Sequence, residues 1–154
     1  MSGVYDTDIL VWSEDQAALL RRLAAGERVN DQVDWSNIIE EIESVGRGET
    51  LAVTSLLGNA LGHKLRLIGW PDDPSALHWA HEIRVWLAQV SRRHRASMHI
   101  EAALADLWQD AILDAGGHML DAGPPTIALP EACPWSLDQL LAEGAAARRW
   151  KPEV

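Results

Sequence analysis

Five polar residues between positions 40 and 63 have side chains that could do chemistry: Glu40, Glu43, Arg47, Glu49 and His63. Residues three and four apart meet on a helix surface, so Glu40 reaches Glu43 and Glu43 reaches Arg47. Glu49 follows Val45 by four and precedes Ala52 by three, which sets a carboxylate on the apolar stripe of the same segment. A carboxylate there must be ion-paired, face a cleft or take up a proton. Two expectations follow: a ligand or general base with Arg47 as its anion contact, or an ion pair that fixes packing. His63 shares the stripe with Leu56, Ala60 and Leu67, where an imidazole serves as a core residue or as a group that titrates near neutral pH. Glu49 and His63 are separated by about 21 Å of straight helix, so a shared site requires the helix to break and fold back.

A second set lies at His78, His81 and Glu82. Positions i, i+3 and i+4 project to one side of a helix, so these three could face one metal ion, with a water or a further ligand completing it. The zincin spacing His-Glu-x-x-His is absent, as are a phosphate-binding glycine loop, a Gly-x-Ser-x-Gly elbow and a zinc-knuckle cysteine set. The bland alternative is a pair of solvated or helix-packing histidines. Cys133, the one cysteine, lies between prolines and is expected to pack rather than react. No cofactor is expected.

Helices must position these residues, because apolar residues recur at steps of three and four and no segment alternates as a strand would. The first helix is expected from Asp6 or Thr7 to Gly26, with Ile9, Trp12, Leu19, Leu20 and Leu23 facing inward. Asp34 caps a second, whose stripe runs through Trp35, Ile38, Ile42, Val45, Ala52, Leu56, Ala60, His63 and Leu67 to Gly69 and Pro71. Gly46 and Gly48 interrupt it and leave open whether the helix runs on or breaks. Asp73-Pro74 opens a third, with Trp79, Ile83, Trp86, Leu87 and Val90 inward. Ser97 caps a fourth that includes Trp108, Ala111 and Ala115 and weakens at Gly116-Gly117. A Pro-rich loop spans 122–134, and Ser136 with Gln139 forms a capping box for a short last helix. The tail after Gly144 is expected to be loosely ordered.

The expectation is therefore an all-α fold: a single-domain helical bundle over 1–154, with four main helices and a short C-terminal one. Eight Trp, one Tyr and no Phe make Trp the expected bulky core residue. A formal net charge of −10 repels phosphate backbones, so nucleic acid is not an expected partner. The basic runs at 92–95 and 148–151 read as solvated helix ends. No stretch is apolar enough to span a bilayer, the N-terminus lacks a signal-peptide pattern, and a single cysteine suits a reducing compartment; a cytoplasmic location is the expectation.

Several segments together resemble a known family. Tyr5-Asp6-Thr7-Asp8-Ile9 with Trp12, then Asp34-Trp35-Ser36-Asn37-Ile38-Ile39-Glu40-Glu41-Ile42-Glu43 and Val45-Gly46-Arg47-Gly48-Glu49, are similar to the bacterial domain of unknown function 29 family. His63-Lys64-Leu65, Ser75 to Trp79 with Ile83, and Leu129 to Leu137 extend the likeness along nearly the whole chain. The usual serine is replaced by Gly48, and a Leu-Leu-Lys-Trp run near His63 is altered. The resemblance implies an all-helical fold and no activity.

Two functional expectations stand. One is a non-enzymatic module that binds a protein partner, or itself, through a Trp-containing face. The other is a small metal-assisted hydrolase with Glu and His ligands inside a helical bundle.

Overall fold

A computed structural model describes residues 3–151. Among them six α-helices and no strands occur: α1 Val4–Thr7, α2 Ile9–Ala24, α3 Trp35–Gly69, α4 Ala76–Arg93, α5 Leu104–Ala122 and α6 Leu137–Arg149. Two 3₁₀ turns, Ala96–Met98 and Ile100–Ala103, precede α5. The residues group into two compact units, Met1–Arg47 and Gly48–Val154.

The first unit has a small core. Trp12 from α2, Val33 from the connection and Ile38 from α3 are buried, with Tyr5, Leu19 and Leu20 against them. Polar bonds hold that core in register. Asp34 accepts from the Trp12 indole Nε1 at 3.1 Å and the Asn37 side-chain amide at 2.7 Å. The Gln16 amide oxygen accepts from Asp34 N at 2.8 Å. The Asn37 and Trp12 hydrogen bonds stabilise the charged form of Asp34 and hold its pKa below the ordinary carboxylate value.

The second unit holds the larger core: Val53, Leu57, Ala60, Leu61 and Leu65 of α3, Trp79, Ile83, Leu87 and Val90 of α4, Trp108, Ala111 and Ala115 of α5, and Leu137 and Leu140 of α6. Trp108 is fully buried, and its indole Nε1 donates to Pro130 O at 3.0 Å. Trp70 Nε1 donates to Gly123 O at 2.9 Å, and Thr126 donates from both N and Oγ1 to Gly69 O. The Pro-rich loop is thus fastened by indoles, which hide a large apolar body while finding an acceptor at the ring edge.

Several local expectations are corrected. Asp8, not Asp6 or Thr7, caps the first long helix, accepting from Leu10 N and Val11 N; Asp6 and Thr7 lie in the preceding turn, α1. α3 runs on through Gly46 and Gly48, because a helix interior tolerates glycine at a cost of about 1 kcal/mol each when the flanking turns are good formers. Asp73-Pro74 does not start α4. Asp73 instead closes a turn, accepting from Ser75 N, and the helix begins at Ala76. Ser97 falls inside a 3₁₀ turn and caps nothing. α5 continues past Gly116-Gly117 and stops at Gly123, whose φ of 81° ends helical geometry.

The α6 capping box forms as expected, with Gln139 N donating to Ser136 Oγ at 3.2 Å. The helix then continues beyond Gly144, where a loose tail was expected. Gly144 is buried against α4: a Cβ there would lie 2.0 Å from Leu87 O. Its missing side chain lets the two backbones touch, and that contact orders the last turns.

The buried face of α3 also departs from the expected stripe. Within the second unit it is Val53, Leu57, Ala60, Leu61 and Leu65; of the expected stripe Ala60 is fully buried, while Leu56 and Leu67 pack only partly buried against the core, whose centre lies one position on. A stripe phased on Trp35 and Ile38 drifts over so long a helix, because 3.6 residues per turn is not a whole step of three or four. In the first unit only Ile38 of that stripe is buried. Trp35, Ile42 and Val45 are exposed, against the expectation that Trp and aliphatics there form core. Trp150 is exposed too, so Trp supplies the core at positions 12, 70, 79 and 108 rather than throughout.

Candidate functional site

The structure places the sequence candidates in three separate places. In the first unit, Arg47 Nη2 donates to Glu40 at 2.6 Å and Nη1 lies 3.6 Å from Glu43; all three side chains are more than half exposed. Such a solvated cluster contributes about 0.2–1 kcal/mol per pair and offers a ligand little that water does not. Glu49 is in the second unit and is likewise half exposed, with Arg93 Nη2 donating to both its oxygens at 3.2 and 3.3 Å. It is paired rather than poised as a base. Since α3 is unbroken, Glu49 and His63 form no common site.

His63 is the candidate with a built environment. It lies on α3, and its Nε2 sits 2.7 Å from Glu82 Oε2 of α4, with side-chain exposures of 17% and 29%. The Trp86 and Trp79 rings meet the imidazole edge-on at 4.9 and 6.2 Å. Burial favours the neutral ring and lowers the His63 pKa; the bond and charge of Glu82 oppose this without cancelling it. The neutral ring then donates from Nε2 to the carboxylate, which leaves Nδ1 as the basic nitrogen.

His78, one turn before Glu82, adds its Nε2 at 3.2 Å from Glu82 Oε1 and is mostly exposed. Glu82 therefore collects His63 and His78. His81, the third member of the expected metal set, is exposed and does not join the pairs that Glu82 makes with His63 and His78. Among the described residues no group of three or more His, Cys, Asp or Glu is arranged to hold a metal ion. Cys133 is half-buried, and its thiol donates to Trp135 O at 3.3 Å.

A cleft of about 530 Å³ opens beside His63 between α3 and α5. Its walls include Asn59, Gly62, His63, Arg66, Asp110 and Asp114, and Arg66 Nη2 donates to Asp114 at 2.7 Å. The arrangement can hold one neutral imidazole and a neutralised Arg–Asp pair at an open groove. Among the described residues the side chain bonded to His63 is the Glu82 carboxylate, with no hydroxyl or thiol bonded to the imidazole.

Sequence reasoning missed three constellations, all made of residues distant in sequence. Tyr5 donates to Glu41 at 2.6 Å, and that bond, with some burial and the charge of Glu41, raises the Tyr5 pKa to about 12. Lys64 pairs with Glu143 at 2.7 Å and lies 4.2 Å from the Trp135 ring centre. His118 sits between the Trp70 and Trp79 rings with Asp73 3.4 Å away. Periodicity flags none of them.

A last feature is apolar. Trp35, Ile39, Ile42 and Val45 follow one another at steps of four and three along α3 and are 44%, 54%, 68% and 67% exposed. That run of large apolar side chains on one strip is uncommon on an isolated protein, where exposed apolar residues are usually scattered.

No helix among the described residues is long and apolar enough to cross a membrane. No curated protein matches the chain. Among solved structures, the chain is similar to an alpha-helical protein of unknown function from Rhodospirillum rubrum. That protein is 24% identical, with 99% of this chain and all of that one covered at a TM-score of 0.65, a likeness of fold. The family model of the domain of unknown function DUF29 matches residues 4–145, nearly the whole chain including both units, and the chain belongs to that family.

Proposed function

We propose that this protein is a non-enzymatic interaction module that docks a partner protein through the first half of α3. The observation that carries the reading is the exposed strip Trp35, Ile39, Ile42 and Val45. Each such side chain removed from water contributes about 1.5–3 kcal/mol, and Trp is a favoured anchor residue. The Trp35 ring is already held, its Nε1 donating to Asn30 O at 2.9 Å, so less side-chain freedom is lost on docking. Co-purification from source cells tests the reading. Wild-type bait should retain a protein that Ile39→Ser and Ile42→Ser baits release. Identical recovery with all three baits, from a protein that stays monomeric, contradicts it.

A second reading, a small metal-assisted hydrolase, draws on the convergence of His63 and His78 on Glu82. It requires the carboxylate and both imidazoles to swing around an ion, since the present arrangement is not a ligand set. Elemental analysis of protein purified without chelator tests it. A stoichiometric metal lost in Glu82→Gln supports this reading; no metal and no metal-dependent rise in melting temperature removes it.

A further inference from the structure

The charge around the exposed strip specifies what can lie on it. Between positions 30 and 47 the chain has five acids, Asp31, Asp34, Glu40, Glu41 and Glu43, against one base, Arg47. That base is already committed to Glu40 and Glu43. Glu41 is held on the other side by Tyr5. Glu40 and Glu43 therefore border one side of the strip and Glu41 the other, with no free cation to meet an incoming carboxylate.

The strip itself is straight and narrow. Trp35 to Val45 spans about 15 Å, three helical turns, with anchors at steps of four, three and three. That spacing suits a helix laid alongside, whose own apolar side chains fall between those of α3. A second copy of the same face would set Glu40, Glu41 and Glu43 against the same three acids, and like charges across an interface cost affinity.

Building on the docking reading above, we infer that the occupant is an amphipathic helix of another protein, apolar on one face and flanked by Lys or Arg. Its apolar side chains cover Trp35, Ile39, Ile42 and Val45. Its basic flanks sit over Glu40, Glu41 and Glu43.

The full chain, with isotope-labelled backbone and methyl groups, tests this by NMR. It is titrated with a designed Leu/Lys helical peptide of about four turns and with its Leu/Glu counterpart, and it is also measured alone over a concentration series. The expected result is saturable shifts on Trp35, Ile39, Ile42 and Val45 with the Lys peptide only. Binding should weaken with salt, and by about tenfold or more in Ile42→Ser, whose fold is checked by the unchanged remainder of its spectrum.

Shifts scattered over other acidic surfaces, or unaffected by Ile42→Ser, overturn the inference, as does no binding of the Lys peptide. Equal binding of the Glu peptide on the strip overturns the basic partner while the docking reading stands. Shifts of the same residues with protein concentration alone make a second copy the occupant, with the same consequence. The docking reading itself fails only on the co-purification test.

Discussion

The two halves of helix α3 use the same residue types to opposite ends. In the unit Gly48–Val154, Val53, Leu57, Leu61 and Leu65 have no exposed surface and meet the indoles and aliphatics of α4, α5 and α6. In the unit Met1–Arg47, Trp35, Ile39, Ile42 and Val45 continue the helix largely exposed, and only Ile38 enters a core. Polar fasteners occur in both units, His63, Glu82 and Lys64 in the second and Asp34 with Glu41 in the first, while Glu40, Glu43 and Arg47 beside the strip are open to water. One helix thus serves as a structural spine in one unit and as a presented surface in the other. The difference teaches that amphipathic patterning identifies a face that must be covered without saying by what.

The comparison can be broken or sharpened by substitution, from the side where effects should be largest. Trp108→Ala in the second unit deletes a fully buried indole and its bond to Pro130 O, so the loss should be about 3–5 kcal/mol. Denaturant unfolding followed by circular dichroism measures it. A loss below about 1 kcal/mol would mean that the larger core does not rest on its tryptophans. Gly144→Ala should cost about 3 kcal/mol, because the new Cβ must push the α6 backbone off Leu87 O. A stability equal to the native protein's would remove the close contact between α4 and α6.

The His63–Glu82 pair comes next. Glu82→Gln weakens a charge-assisted bond and should cost about 1.5 kcal/mol. The pH dependence has a definite sign. Burial lowers the folded pKa of His63 below the unfolded value of about 6.5, so its contribution is whole above that value. As pH falls below it, the unfolded chain takes up a proton that the folded one refuses, and stability declines toward the folded pKa. Melting temperatures from pH 8 to 5 should therefore fall on the acid side, and His63→Gln should flatten that fall. An unchanged slope in the variant would assign the acid sensitivity to other groups.

The smallest effects belong to the first unit. Arg47→Ala should change stability by about 0.2–1 kcal/mol, since it removes only exposed pairs. Ile42→Ser should stay within about 0.5 kcal/mol in stability while weakening docking about tenfold or more. A large destabilisation by either would show that this face is covered within the folded chain.

Much of this was legible in the sequence, for identifiable reasons. The Ser136/Gln139 box, the inward faces of α4 and α5, and the Pro-rich interruption were readable because capping and periodicity are local signals. Helix starts at Asp73 and Ser97 were misread because Asp73 closes a turn by accepting from Ser75 N and Ser97 falls inside a 3₁₀ turn, so each helix begins later. The order after Gly144 was invisible because it depends on Leu87, far away in the chain. The candidate site fared similarly. That Glu43 meets Arg47 followed from spacing, whereas the partners of His63 and Glu49 lie on α4, and no pattern in one helix names its neighbour. The strip at Trp35 was seen as apolar; its exposure could not be, because periodicity does not distinguish core from docking surface.

The most direct test of this division is solvent accessibility measured side chain by side chain along α3. Methyl resonances of Ile39, Ile42 and Val45, and the indole of Trp35, should broaden strongly with a soluble paramagnetic probe. Those of Val53, Leu57, Leu61 and Leu65 should be nearly untouched. Equal protection of both sets would contradict the claim that the first half of α3 is a presented surface.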